Sequence, residues 1–218
     1  MKNVFITGCS RGLGSLLVKE FVEANCFVLP HFRKDFAGVP DDCVIGDIRE
    51  AGTLEKIENA LTENDINVFV NNAAIHCRKP FLEHSDSEID SLITVNIASQ
   101  IKVLKRVYNT FLSRGRGLII NVNSVAGIQP APNEAIYSAT KYALKGFSQS
   151  LQIESIGKNI KIIDVFPGAM KTDMTKDRGN FNNLIDPLEI AKRIKDIAVS
   201  ENITSLETEV VIRKFIER

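Results

Sequence analysis

Residues 3–14, NVFITGCSRGLG, run from a β-branched strand straight into a glycine-rich turn, and helical periodicity begins after Gly14. Glycines at 8, 12 and 14 let a backbone turn tightly and approach a pyrophosphate, whose charge sits well against the free amides of a helix N-terminus. The spacing is G-x-x-x-G-x-G, which differs from the common dinucleotide fingerprint G-x-G-x-x-G. Taken by themselves the glycines are also compatible with a ligand-free strand-to-helix turn, so the rest of the chain has to decide.

Working outward, short apolar runs recur at 26–29 (CFVL), 43–45 (CVI), 68–70 (VFV), 118–122 (LIINV) and 161–166 (KIIDVF), with a weaker one at 209–213 (EVVIR). They are continuous rather than alternating, which suits parallel strands covered on both faces. Between them lie helical stretches. In 87–114, Ile89, Leu92, Ile93, Ile97, Ile101, Leu104, Tyr108, Phe111 and Leu112 step by three and four, and Ser85 with Glu88 offers a capping box. A second long helix is predicted over 134–156 with Gly157 as its C-cap, and shorter ones follow Gly12, Ala51 and Pro187. This alternation predicts an α/β fold: one Rossmann-type doubly wound parallel sheet flanked by helices on both faces, a single domain over 1–218. The stretch 169–185 lacks clear periodicity and reads as a substrate loop, with 170–183 as a lid.

The 218 residues carry 27 basic and 27 acidic side chains, so no global field favours nucleic acid or an anionic membrane. No segment approaches the length of an apolar membrane span, and the N-terminal apolar run is too short for a signal peptide. Cys9, Cys26, Cys43 and Cys77 are scattered without metal spacing and read as reduced thiols, so a cytoplasmic location and no metal are expected. His31, His76 and His84 fit no catalytic or metal pattern and read as surface or loop histidines.

Further motifs stand in register with the glycine turn: Asn71-Asn72-Ala73-Ala74 after the fourth strand, Asn96 within the long helix, Ser124 after the fifth strand, Tyr137-Ser138-Ala139-Thr140-Lys141 in the next helix, and Pro167-Gly168 after the sixth strand. In this order and spacing the chain, over roughly 3–200, resembles the short-chain dehydrogenase/reductase family in its single-domain form. Ala74 stands where the family usually has glycine, and Asn123 where a serine often precedes Ser124. The segment 209–218 is shorter than the family's usual C-terminal part.

The resemblance implies an oxidoreductase that moves a hydride between NADP(H) and a carbonyl or secondary alcohol. Tyr137 and Lys141, at i and i+4, project from one helical face. A free phenol titrates near pH ~10, and a neighbouring ammonium favours its ionised form. The family's roles then fall on Tyr137 as proton donor, Lys141 as its tuner, Ser124 as donor to the substrate oxygen and Asn96 as holder of a relay water. Cofactor contacts are implied at Gly8, Ser10, Arg11, Gly12, Leu13, Gly14, Arg33, Asp47, Ile48, Asn72, Ala73, Ala74, Tyr137, Lys141, Pro167, Gly168 and Thr172. At the end of the second strand Phe32 takes the place of the acid that binds the NAD ribose, with Arg33 beside it. NADP(H) is therefore preferred, with NAD(H) possible, and an acid at position 32 should reverse the choice.

The resemblance also implies a small-molecule substrate and a homodimer or homotetramer, with Ala143, Gly146 and Ser150 permitting close helix approach. Substrate-lining stretches are expected at 75–81, 128–134 and 170–183. The alternative function is a non-catalytic dinucleotide-sensing regulator on the same fold, which the intact tyrosine–lysine pair disfavours. A sugar-nucleotide epimerase or dehydratase would need a longer substrate domain.

Overall fold

In the computed structural model, which describes residues 1–200 and 207–214, seven parallel strands form one sheet in the order β3-β2-β1-β4-β5-β6-β7. The strands are β1 (Asn3–Ile6), β2 (Phe27–Phe32), β3 (Val44–Ile45), β4 (Val68–Asn71), β5 (Gly117–Val122), β6 (Ile160–Pro167) and β7 (Glu209–Ile212). The order reverses between β1 and β4, so the carboxyl ends of those two strands open a crevice at the switch point. The doubly wound sheet read from the sequence is the fold observed, and the resemblance's C-terminal segment is described only as far as 214.

Helices cover both faces. On one side α1 (Gly12–Glu23) and α6 (Pro187–Val199) bury Leu17, Phe21, Ile190 and Ile194 against Val4, Val68, Ile120 and Val165. On the other, α2 (Ala51–Glu63), α4 (Gln100–Arg114) and α5 (Ala135–Glu154) pack Ile57, Leu104, Phe111 and Leu144 on Phe5, Phe69, Ile119 and Ile162. Because strand side chains alternate, adjacent residues feed opposite cores, which is why the strand sequences are apolar throughout.

The helix starts follow their sequence signals. Ser85 caps α3 (Asp86–Ile93) in a reciprocal box with Glu88, and Asp186 accepts from the Leu188 amide at 2.9 Å ahead of Pro187. Two boundaries differ. The long helix is interrupted: Thr94–Ser99 forms a π-helical turn between α3 and α4. The extra residue of the π turn shifts the helical phase, so Ile93 is 47% exposed while the polar Asn96, Ser99 and Gln100 are buried, and apolar periodicity does not mark the place. The C-cap of α5 is Ser155, and Gly157 (φ +79) sits in the turn beyond.

The 169–185 stretch is tied at its base, where Lys171 N donates to Ile185 O at 2.9 Å and Ile185 N to Ala169 O at 3.0 Å. Between those ties it holds two short 3₁₀ turns, Asp173–Thr175 and Phe181–Asn183. Among the described residues no helix is long and apolar enough to cross a membrane.

Candidate active site

The glycine turn builds one end of the site. Gly8 has φ +74, in the left-handed region, and a Cβ on Gly14 would lie 2.1 Å from the Gly8 carbonyl oxygen. Only glycine lets the turn fold so tightly onto the start of α1, whose N-cap, Arg11, has no side-chain capping bond. The turn is braced from two sides. The Thr7 hydroxyl accepts from the Asn72 and Ala73 amides at 2.9 and 3.0 Å, and Asn72 Nδ2 donates to the Thr7 and Gly8 carbonyls at 2.8 and 3.1 Å. His31, only 2% exposed, accepts from Gly8 N through Nδ1 at 3.3 Å, and its Nε2 lies 2.9 Å from Gly46 O. It is thus an inner support of the turn and no surface histidine. Burial lowers its pKa, in keeping with a neutral ring that accepts at Nδ1.

From this turn a cleft of about 690 Å³ runs along the switch point to Tyr137. Gly8, Ser10, Arg11, Gly12, Leu13, Gly14, Arg33, Asp47, Ile48, Asn72, Ala73, Ala74, Tyr137, Lys141 and Thr172 all line it, while Pro167 and Gly168 line the adjoining cavity. Asp47 is gripped by Arg49, whose Nε and Nη2 donate at 3.0 and 2.7 Å and hold its carboxyl below the usual range. Arg33 reaches the cleft but Phe32 does not: it is 5% exposed and packs into the α1-side core. An acid at 32 would therefore be a buried carboxylate, and the expected reversal of cofactor choice by substitution there is corrected on that ground.

The second cavity, about 190 Å³, adjoins the first, and Tyr137 lines both. Ser124, two residues beyond β5, lines it, with its Oγ accepting from the Ala126 amide at 3.1 Å. Tyr137 is pushed up to about 12, chiefly by burial, with a hydrogen bond from Ser124 acting in the opposite direction. Lys141 is 1% exposed, donates to Val122 O at 3.2 Å and lies 5.7 Å from the centre of the Tyr137 ring. Burial brings it down to about 8, against the field of Asp164.

The side chain of Asn96 enters neither cavity. Its Oδ1 accepts from Ile75 N at 2.9 Å, and its Nδ2 donates to Ile75 O at 2.8 Å and to Thr140 Oγ1 at 3.3 Å. It sits in the π turn and clamps the loop after β4, at Ile75, to α5.

One cluster joins residues of all three expected lining stretches, an association that the sequence did not reveal. Glu134, just before α5 and 4% exposed, faces His76 Nε2 at 3.5 Å and Arg78 Nε at 3.7 Å, and bonds to Arg178 from the 169–185 stretch. His76 stands edge-on to Tyr137 with ring centres 4.6 Å apart, so it too is an interior residue of the site. His84 stays outside both cavities. All three expected lining stretches contribute to the smaller cavity, through His76, through Gln129, Ala131 and Glu134, and through Met170, Met174 and Arg178. Among the described residues no group of three metal-ligating side chains converges.

The sequence profile described as short chain dehydrogenase matches residues 2–183. The chain is 30% identical over 189 residues to the 3-oxoacyl-[acyl-carrier-protein] reductase FabG of Chlamydia trachomatis, covering 80% of this chain and 76% of the relative. It is 30% identical over 210 residues to the oxidoreductase UcpA of Escherichia coli K12, covering 88% and 80%. Among solved structures, a 3-ketoacyl-(acyl-carrier-protein) reductase from Brucella melitensis complexed with NADH superposes with a TM-score of 0.87 at 22% identity, over 97% of this chain and 96% of that one. ElxO with NADP bound gives 0.85 at 25% identity over the same shares. By the extent of these matches, and with the family's motifs gathered at one crevice, the chain belongs to the short-chain dehydrogenase/reductase family.

Proposed function

We propose that this chain is an NADP(H)-dependent oxidoreductase acting on a small carbonyl compound or secondary alcohol. The observation that carries the reading is the position of Tyr137, which lines both the long cleft and the small cavity, with Ser124 on one side and Lys141 on the other. The cradle fits a dinucleotide: a turn that a single Cβ on Gly14 would fill, uncapped amides at the start of α1, and a cleft reaching from there to Tyr137. When bound, NADP(H) supplies or accepts the hydride.

The protein's own groups do the rest. In reduction Ser124 donates a hydrogen bond to the substrate oxygen, and Tyr137 gives that oxygen its proton; in oxidation Tyr137 takes the proton back. Burial raises the phenol, the Ser124 hydrogen bond and the Arg178 charge act to lower it, and the Lys141 ammonium, 5.7 Å from the ring centre, would favour the phenolate further. Of its three N–H groups one goes to Val122, which leaves donors for the ribose hydroxyls. Asn96, its side chain committed to Ile75 and Thr140, would hold a relay water through backbone carbonyls of the π turn. Arg33 and Arg11, both exposed at the cleft, would meet the 2′-phosphate.

Tyr137→Phe keeps the packed ring and removes the proton donor. NADPH oxidation against a panel of ketones should fall by about 10²–10⁴-fold while NADPH still binds; turnover near that of the parent would overturn the reading. A homodimer or homotetramer fits the exposed strip of Ala143, Gly146 and Ser150 on α5, where a side chain at 146 would meet open space. Light scattering at micromolar concentration tests it, and a monomer rejects it.

A further inference from the structure

The smaller cavity carries a charged cluster that the reaction described above does not use. Glu134 Oε1 is the meeting point: His76 Nε2 stands 3.5 Å from it, Arg78 Nε 3.7 Å, and Arg178 Nη2 bonds to it directly. The Glu134 side chain is 5% exposed, those of Arg178 and Arg78 23% and 44%. Glu134, His76 and Arg178 line the cavity together with Ser124 and Tyr137, and Arg78 reaches Glu134 without lining it. Gln129 lines it too, and Arg213, just past β7, donates to Gln129 Oε1 through Nη1 at 3.0 Å.

One carboxylate does not neutralise this set. Among the described residues Glu134 is the one acid that lines the cavity. It offsets one guanidinium, while Arg78 and Arg178 bring two, so a positive charge is left over at the wall. Arg213 adds to it, held by a neutral amide and in no ion pair among the described residues. Nor is Arg178 satisfied where it stands. Its recorded hydrogen bond goes to Glu134, and its Nε is buried without a partner. A guanidinium has five N–H groups, and a buried donor without an acceptor is costly. A latch for the 169–185 stretch would need the Glu134–Arg178 pair alone; Arg78 and Arg213 bring charge beyond that.

We propose that the smaller cavity selects a carbonyl substrate that bears a carboxylate, a short oxo acid in reduction and the matching hydroxy acid in oxidation, with Arg178 binding the carboxylate. The inference rests on the function proposed above and names its substrate class. A carboxylate is planar and singly charged, so it fits one edge of a guanidinium and cancels the charge that Glu134 leaves over. The cavity's 190 Å³ is the liquid share of about six water molecules, which suits a short chain. Ser124 and Tyr137 take the carbonyl oxygen and Arg178 the carboxylate, and a molecule held at both points has a fixed orientation. In reduction the carbonyl carbon gains a hydride from NADPH and its oxygen a proton from Tyr137, which gives the hydroxy acid and NADP⁺; the carboxylate is unchanged.

The test sets pyruvate, acetoacetate and levulinate each against the ketone that carries an isopropyl group in place of the carboxylate, in NADPH oxidation by the full chain. At least one oxo acid should exceed its ketone about tenfold or more in kcat/KM. In Arg178→Gln that ratio should fall by about tenfold, through KM more than kcat, and Arg178→Lys should recover part of it. Ratios at or below one for every pair, or a ratio that Arg178→Gln leaves unmoved, would overturn the proposal. Should the variants not fold, the ratios of the parent decide. Acetonylphosphonate, the phosphonate counterpart of acetoacetate, should be used less well than acetoacetate, and the reverse order overturns the choice of carboxylate. Ketones reduced as well as oxo acids leave the proposed function standing and remove the substrate class. If neither series is reduced, the proposed function fails, and calorimetric titration of the same pairs into the chain with NADP⁺ decides the anion preference by itself: an oxo acid bound about tenfold tighter than its ketone supports it, and equal binding refutes it.

Discussion

Arg33→Ala tests how the cleft chooses between the two nicotinamide dinucleotides. Arg33 follows directly on β2, lines the cleft and is exposed, while the residue before it points into the core. A charge-assisted hydrogen bond to a phosphate is worth roughly 1.5–3 kcal/mol when well formed. Solvent around an exposed guanidinium screens part of this, which brings the expected loss to about 1–2 kcal/mol. At 1.4 kcal/mol per factor of ten, NADPH should bind about 5- to 30-fold more weakly to the variant. NADH has no 2′-phosphate, so its affinity should stay within about twofold. The assay is a calorimetric or fluorescence titration of both cofactors against parent and variant, at low and high salt. The NADPH preference of the parent should shrink at high salt, because the contact is exposed. Equal weakening for both cofactors, or no weakening for either, would refute the assignment of Arg33 to the 2′-phosphate. Arg11 lies 3.8 Å from Asp173 through exposed side chains, so its own removal should cost less.

Gly14→Ala should lower cofactor affinity at least tenfold and destabilise the fold by about 1–3 kcal/mol, since its Cβ would overlap the Gly8 carbonyl at 2.1 Å; Gly52→Ala on α2, which meets nothing within 4 Å, should be neutral or slightly stabilising in the same thermal melts. Stability should depend on pH through two buried groups of opposite sign. Asp164 is raised from 3.8 to about 7, so its cost sets in as pH climbs between those values, whereas Lys141 is lowered from 10.5 to about 8, so its cost fades as pH climbs from about 8 to 10.5. Urea midpoints should therefore pass through a minimum near pH 7–8, and a maximum there would contradict the assignment. The 170–183 segment should gain hydrogen-exchange protection when cofactor and substrate are added together, because its Thr172, Met174 and Arg178 line the small cavity; equal protection with and without ligand would rule out a lid.

The sheet, its parallel sense and the glycine turn were legible in the sequence because each rests on a local property. Continuous β-branched runs, a period of three and four, and glycines bunched after the first strand are readable within a few residues of themselves. The same holds for Tyr137 and Lys141, which one helical turn brings to a common face. Sequence left other features unseen, and each depends on partners far apart in the chain. His31 became a support for Gly8 because β2 lies beside β1, and His76, Glu134 and Arg178 met only when three separate loops converged at the mouth of α5. Phe32 looked free to face the cofactor, yet the strand pleat turned it into the core. The π turn at Thr94–Ser99 buries Asn96 and Ser99, polar residues that carry no apolar period and so gave no local sign. Asp164 reads as one polar residue in an apolar strand, and only strand register set it in line with Asn121 and Glu209. Local periodicity is decided by backbone geometry over a few residues, whereas a buried charge acquires its partner only when distant strands and helices settle into one packing, and that part of this protein was decided by tertiary structure alone.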